Sequence, residues 1–116
     1  MNEPEVSENQ QGVSALLDQG TIFEGRLSFE GTVQINGIFK GEIFTNDTLV
    51  ISEQAKVIAE IEADTIIISG RVEGNLFAKR KVIMYPPAVF RGTVTSPSLK
   101  IEEGVVFEGA SYMPRH

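Results

Sequence analysis

The sequence contains no cysteine, no tryptophan and a single histidine. Without cysteine, neither a disulfide scaffold nor a thiolate metal site can form, which fits a reducing compartment. No N-terminal apolar run approaches the roughly 20 residues of a membrane-spanning helix, and MNEPEVSENQQG is too polar and acidic for a signal peptide. These absences predict a cytoplasmic protein.

The sequence also lacks the basic excess that binding to nucleic acid requires. Its formal charge is -6 and its pI is about 4.7, whereas nonspecific nucleic-acid binding depends on neutralising phosphates with Lys and Arg. The single histidine, His116, is the last residue, where a catalytic base would have no rigid surroundings. No glycine-rich phosphate loop opens a helix. We therefore predict no catalytic residue, no cofactor, no metal ligand and no nucleic acid as main ligand.

Related short sequence motifs, which we call words, recur along the chain: FEGRL, FKGEI, VIAEI, RVEGNL, FRGTV and FEGAS. Their central small residues are Gly25, Gly41, Ala59, Gly74, Gly92 and Gly109. Successive separations are 16, 18, 15, 18 and 17 residues, so the period is about 17. A second set of apolar pairs shares that period: Val33 and Ile35, Leu49 and Ile51, Ile66 and Ile68, Val82 and Met84, Leu99 and Ile101. Such internal repetition predicts a repeat architecture.

Apolar and polar residues alternate within each word, which indicates short β-strands. Turn-forming residues separate the words: Asn36-Gly37, Asn46-Asp47, Ser69-Gly70, Pro86-Pro87 and Ser96-Pro97-Ser98. A unit of about 17 residues cannot bury an apolar face alone, but stacked units can. The sequence therefore predicts an all-β fold, a β-helix (β-solenoid) of about six turns. We expect a flexible N-terminal tail over 1–19, the solenoid over 20–112 and a short C-terminal tail over 113–116.

The repeated small residue has a predicted role in packing. In so narrow a coil, inward side chains from different faces meet near the axis, so a large residue such as Phe90 needs a small neighbour. The residues just before the small ones are expected to point outward as a ladder of mostly alternating charge. That ladder is Glu24, Lys40, Ile58, Glu73, Arg91 and Glu108.

The chain resembles the bactofilins, a bacterial cytoskeletal family. The similarity is carried by GTIFEGRLSFEGTVQINGIFKGEI, EIEADTIIISGRVEGNLFAKRKV and LKIEEGVVFEGASYM, and it covers nearly all of the chain after about Gly12. The resemblance implies a right-handed, roughly triangular β-helix that polymerises end to end, without nucleotide, into nonpolar filaments. It further implies a membrane-associated scaffold in cell shape that recruits cell-wall-modifying enzymes, so partners would include wall hydrolases or synthases.

A physical argument for self-association stands beside the resemblance. Both ends of a solenoid present unpaired backbone groups and a cross-section of the apolar interior. The tail after Gly109 is too short to cover the last turn. We predict one self-association contact at each end. The residues are Ile22, Phe23 and Leu27 at the first turn, and Leu99, Ile101, Val105, Val106 and Phe107 at the last.

Membrane attachment is the least supported expectation. The segment before Gly12 contains Glu3, Glu5 and Glu8 and no basic residue to meet anionic lipid. The candidate membrane tail is Val13, Leu16 and Leu17, a patch too small for anchoring unless polymerisation multiplies it. The alternative is a linker that also folds over the first turn. Localisation is therefore expected to be cytoplasmic, with peripheral contact at the inner face of the membrane as the hypothesis.

Two other functions remain open from sequence. One is a capped monomeric β-helix that holds a partner on its side faces, with Phe44, Ile58 and Phe77 as the outward apolar residues. The other is a β-helix enzyme, which is less favoured because the hexapeptide period with its coil histidine and the long acid-bearing loops are both missing.

Overall fold

The computed structural model describes residues 13–17, 20 and 22–113, and within them every regular element is a strand. All pairings between these strands are parallel. The strands are β1 Val13–Leu17, β2 Ile22–Phe29, β3 Thr32–Ile35, β4 Ile38–Thr45, β5 Thr48–Ile51, β6 Lys56–Ile68, β7 Arg71–Met84, β8 Val89–Thr95, β9 Leu99–Ile101 and β10 Val106–Tyr112.

Each strand pairs with the equivalent strand one turn further along the chain. Phe23 is aligned with Phe39, and Phe90 with Phe107, so the repeated words stack in the register that their period predicts. The fold is therefore a β-solenoid, as the sequence predicted. It has about five turns rather than about six, because the last word, in β10, forms only part of a turn.

Every turn contains three segments, which we call its sides. The first side precedes the central small residue in β2, β4, β6, β7, β8 and β10, and the second side follows it. The third side consists of β3, β5, the ends of β6 and β7, and β9, with β1 stacked in front of β3. A strand segment on one side is called a rung.

The core is built from the inward residues of these rungs. Inward residues of the inner turns are almost completely buried, including the aromatic rings of Phe39 and Phe90. In β6 buried residues alternate with more exposed ones from Lys56 to Asp64, and the alternation breaks at Thr65 and Ile66, which are both buried, next to the register shift. Since all buried hydrophobic side chains among the described residues belong to one cluster, the solenoid has one continuous core along its axis.

The repeated glycines have a different role from the predicted one. Gly41, Gly74, Gly92 and Gly109 have φ between 134° and 147°, and a Cβ at any of them would lie within about 2 Å of a carbonyl oxygen in the preceding turn. The expectation that they leave volume for large inward side chains is therefore wrong. They are needed because their Cβ would point along the axis into neighbouring backbone.

The chain path differs from the sequence expectation of short strands in the lengths of β6 and β7 and in a bulge. The predicted turn residues do lie between strands, but β6 and β7 have 13 and 14 residues and continue from one side to the next. They stay continuous because each pairs with two successive strands of the neighbouring turn. Lys79 and Arg80 lie in a bulge of β7, where they oppose the single residue Asp64.

Strand β1 falls inside the segment 1–19 that the sequence assigns to the N-terminal tail, so the sheet begins before residue 20. The last strand, β10, ends at Tyr112. Residues 1–12 and 114–116 lie outside the described residues. The division into tails and solenoid otherwise stays a prediction.

The outward charges stack as the ladder predicts. Glu73 is aligned with Arg91 and Arg91 with Glu108, and the Arg91 Nε lies 3.0 Å from a Glu108 carboxylate oxygen. On the second side the Arg26 Nε lies 2.9 Å from Glu42. Because these groups are exposed, each pair contributes only about 0.2–1 kcal/mol and helps mainly to specify the register.

Candidate functional site: the open ends of the solenoid

Both ends of the solenoid have strands that are paired on one edge only. Among the described residues, β1 and β2 pair only with the turn that follows them, and β9 and β10 only with the turn that precedes them. The outer edges of these four strands therefore present backbone groups available to another parallel or antiparallel strand. Such edges are the sites at which β-proteins add further chains.

The C-terminal end also exposes the interior. Ile35, Ile51, Ile68 and Met84 occupy one inward ladder on the third side and are 0% exposed. Ile101 is the next residue of that ladder and is 40% exposed. Its position in the rung is the same, so its exposure arises because none of the described residues forms a further turn that covers it along the axis. The apolar interior is open at this end.

The other predicted C-terminal residues surround this opening. Phe107 stacks on Phe90 with ring centroids 5.3 Å apart, and its outer face is only half-buried. Val106 is exposed, whereas Leu99 and Val105 are half-buried against the core. The structure thus brings together the five residues that the sequence assigned to this end.

The N-terminal end repeats this aromatic arrangement. Phe23 stacks on Phe39 with centroids 5.1 Å apart and an interplanar angle of 12°. Ile22 is exposed and Leu27 is buried, so the first turn offers one open apolar side chain beside the half-buried ring. The two predicted groups therefore lie on opposite ends of the molecule and form two surfaces rather than one site.

The third side is covered at the N-terminal end but not at the C-terminal end. β1 pairs with β3 through Leu17 opposite Ile35 and Leu16 opposite Gln34. This extra rung explains why Ile35 is fully buried although it belongs to the first complete turn. The candidate membrane residues Val13, Leu16 and Leu17 are thus part of a strand whose backbone extends the sheet.

Charges at the rim of the C-terminal end are partly balanced within the chain. Glu102 lies 3.4 Å from the Lys100 ammonium, and Glu108 pairs with Arg91. An apolar contact across this end would therefore leave those carboxylates beside their own cations. This lowers the electrostatic cost of bringing two such ends together.

Sequence reasoning missed residues that the structure places at the ends. Phe29 is half-buried and packs against the core from the first turn. Tyr112, the last residue of β10, and Met113, which follows it, are each 57% exposed. The signal for Phe29 was its place two residues after Leu27 on the same strand face, whereas Tyr112 and Met113 lie beyond the last glycine word.

Described residues on the sides of the solenoid line two small depressions. One, of about 170 Å³, is lined by first-side residues that include Lys56, Ile58 and Arg71. Another, of about 280 Å³, lies beside Phe44 and Lys79. Both are smaller than the roughly 300–1,000 Å³ of typical small-molecule sites. The described residues contain no group of three or more His, Cys, Asp or Glu arranged to hold a metal ion.

Comparisons with known proteins agree with this geometry. Residues 15–112 match the family model "Bactofilin: Polymer-forming cytoskeletal". The chain is 28% identical over 96 residues to bactofilin BacO of Myxococcus xanthus, covering 83% of this chain and 76% of BacO. It is 25% identical over 105 residues to bactofilin BacP of the same organism, covering 90% of this chain but only 44% of BacP.

Solved structures show the same fold. The solid-state NMR structure of the cytoskeletal bactofilin BacA superposes with a TM-score of 0.78 at 30% identity, covering 88% of this chain and 98% of BacA. The cryo-EM structure of Thermus thermophilus bactofilin, in double helical filaments, gives a TM-score of 0.81 at 29% identity, covering 86% and 99%. In the part of the chain that the structure describes, we find no helix with the length and hydrophobicity to cross a membrane.

Proposed function

This chain belongs to the bactofilin family of polymer-forming cytoskeletal proteins, and on that premise we propose that it assembles end to end into filaments that need no nucleotide. The family is structural and not enzymatic. The proposed contacts are the two end surfaces, with Ile22, Phe23 and Leu27 at one end and Leu99, Ile101, Val105, Val106 and Phe107 at the other.

The exposure of Ile101 is the observation that carries this proposal. An isoleucine that is 40% exposed in a ladder of otherwise fully buried residues is a core position on which no described residue of the next rung is stacked. Covering it with another copy would extend the buried core and pair the open strand edges in one step. Burial of apolar surface contributes about 25 cal/mol per Å², so continuation of the core favours assembly.

Nonpolar filaments are part of the proposal. In such filaments C-terminal ends would meet C-terminal ends, and N-terminal ends would meet N-terminal ends. The aromatic stacks are compatible with like-with-like contacts, since each end presents a half-buried phenylalanine lying on a buried one. A two-fold contact would place Phe107 near Phe107 of the second copy, where offset stacking is favourable.

The proposed cellular role of the filaments is to act as a scaffold that supports cell shape and localises cell-wall hydrolases or synthases. The filaments would lie in the cytoplasm and at the inner face of the membrane. A filament repeats its side faces at fixed intervals, so weak contacts to a partner become strong by multivalency. This role rests on the family membership and not on a pocket, because the depressions of the sides are small.

Negative-stain electron microscopy of the purified chain, without nucleotide and at low and high salt, tests the proposal. We expect filaments at both salt concentrations, because apolar end contacts are not screened whereas exposed ion pairs are. Isolated particles no longer than the 39 Å of the molecule's longest extent would contradict it. That result would favour the capped monomeric binding module.

Membrane contact through the N-terminal segment is tested separately. If Val13, Leu16 and Leu17 anchor the filament, removing residues 1–18 should abolish co-sedimentation with anionic liposomes. Because this deletion also removes β1, a Leu16→Ser/Leu17→Ser variant that keeps the chain length provides the second measurement. Unchanged co-sedimentation of filaments made from both variants would rule out the N-terminal anchor.

A further inference from the structure

We propose that the acidic segment before β1 binds back onto the solenoid of its own chain. The contact surface is the basic cluster, which consists of Lys79, Arg80 and Lys81 at the corner between the second and third sides. Its occupant is the segment 3–8, through Glu5 and Glu8. Residues 1–12 lie outside the described residues, whereas the cluster and the start of β1 lie within them. The contact is separate from both end surfaces and does not depend on filament formation.

The bulge in β7 presents the three cations of the basic cluster side by side. The residues on either side of the cluster are buried and all three cations are exposed, whereas strict alternation would bury the middle one. Arg80 lies 3.6 Å from the carboxylate of Asp64. Among the described residues, neither Lys79 nor Lys81 forms an ion pair. The cluster therefore keeps unbalanced positive charge on a chain whose formal net charge is -6.

The acidic segment joins the solenoid on the same axial line as the basic cluster. Val13 is aligned with Thr32, and Thr48, Thr65 and Lys81 occupy the equivalent position in the next three turns. Lys81 is thus four rungs from Val13, which is about 19 Å along the axis. The backbone of Val13 opens β1, so the residues before it begin at this corner.

The order of residues in the segment matches the order of charges along the corner. In the first three turns the corner is acidic, with Glu30, Asp47 and Asp64. Residues 9–12, which lie next to β1, are uncharged and span about 13 Å when extended, or nearly three rungs. Glu8 then reaches about 17 Å from the start of β1, within one rung of the basic cluster. Uncharged residues therefore pass the acidic part of the corner, and carboxylates meet the cations.

A depression on the second side follows the same path. Its volume is about 280 Å³, and its lining extends over four turns, from Phe29 through Phe44 to Lys79. It is smaller than a typical small-molecule site, but side chains of an extended segment that lies along the corner can enter it. The depression thus connects the turn next to β1 with the basic cluster.

Attachment to the solenoid makes such a contact sufficient. Ion pairs between exposed groups are individually weak and would not hold a free peptide. A segment joined by a short linker is present at an effective concentration in the millimolar range, so weak contacts can hold it. Docking then creates a competition, because an external anion reaches the basic cluster only by displacing the acidic residues of the same chain.

Disulfide crosslinking tests the path of the segment, since the chain has no cysteine of its own. Phe44 and Phe77 lie in one outward column, two rungs apart. In an extended segment, Gln10 and Ser7 reach about 10 and 20 Å from Val13, the levels of Phe44 and Phe77 respectively. Intramolecular disulfides should form at least about tenfold faster in Ser7→Cys/Phe77→Cys and Gln10→Cys/Phe44→Cys than in the exchanged pairs Ser7→Cys/Phe44→Cys and Gln10→Cys/Phe77→Cys.

Charge reversal tests what holds the segment. Either Glu5→Lys/Glu8→Lys or Lys79→Glu/Lys81→Glu, added to the first cysteine pair, should slow its oxidation about tenfold, and combining both reversals should restore the rate. Raising the salt concentration to about 1 M should slow the same pair without any substitution, because exposed ion pairs are screened.

The matched control is Lys40→Glu/Lys56→Glu, an equal charge change on the first side, which should leave the oxidation rate unchanged. Thermal unfolding checks that each variant is folded. Equal rates in the matched and exchanged cysteine pairs would overturn the proposal, as would rates that neither reversal nor salt changes. Disulfide-linked dimers in place of the intramolecular product would also overturn it, in favour of docking on a second copy. Pelleting reads filament formation separately, so a chain without filaments would contradict only the proposed end-to-end assembly.

Discussion

Gly92→Ala is expected to lower the free energy of unfolding by about 3–5 kcal/mol, a large share of the stability of a domain this size. The Cβ of alanine would lie 1.8 Å from the carbonyl oxygen of Gly74 in the preceding turn. That oxygen belongs to the backbone of a paired rung and cannot move without disturbing the sheet. The φ of 138° adds a cost because residues with a Cβ rarely adopt it.

Gly25→Ala is the matched control for this prediction. Gly25 has nearly the same φ, 139°, but its added Cβ would meet only the Phe23 ring, at 3.8 Å. We therefore expect a loss of about 1–2 kcal/mol, from the backbone conformation alone. Chemical denaturation followed by circular dichroism, at concentrations below assembly, measures both. Equal losses of unfolding free energy in the two variants would show that close contact with the preceding turn is not the reason why glycine is required at position 92.

The repeated glycines show which part of the fold the sequence predicts and which part it does not. The period of 16 to 18 residues was enough to predict the register, because parallel rungs stack in line only when successive turns have nearly equal length. It did not predict why the central residue is small. The alternation rule describes only inward and outward directions, whereas the Cβ at Gly92 would point along the axis.

Ala59 is the exception that the same geometry accounts for. No residue other than glycine has positive φ in the described part of the chain, so Ala59 keeps an ordinary strand conformation with its methyl group buried. Around it the spacing is irregular, 18 residues before and 15 after. The rung of β6 therefore passes this position as a continuous strand, with buried and exposed residues alternating through Ala59.

The residues of the two end surfaces could be predicted from the sequence. The sequence did not predict that the third side is covered by a strand at the N-terminal end and left uncovered by the described residues at the C-terminal end. VSALL has no glycine and no clear relation to the repeated words, so nothing marked it as the rung that covers Ile35. The exposure of Ile101 follows from the chain having no equivalent rung after β9 among the described residues. Whether an end residue is covered depends on which strand stacks next to it along the axis, and the repeat pattern does not specify that strand.

Phe107→Arg is expected to abolish filaments while the solenoid remains folded. Phe107 lies on Phe90 at the open end, so its ring would be covered fully only by a second copy. Losing that burial costs about 2–3 kcal/mol per contact, which raises the concentration needed for assembly about 30- to 150-fold. Two arginines facing each other across a like-with-like contact would add repulsion.

The matched control is Phe77→Arg, the same substitution at a ring that is 43% exposed on the second side. It should leave both the fold and the filaments intact, since Phe77 faces neither end nor the third side. Pelleting assays and circular dichroism on both variants separate assembly from folding. If Phe107→Arg is folded and still pellets as wild type does, the C-terminal end is not a filament contact, and Phe107 is an ordinary core residue under a capped end.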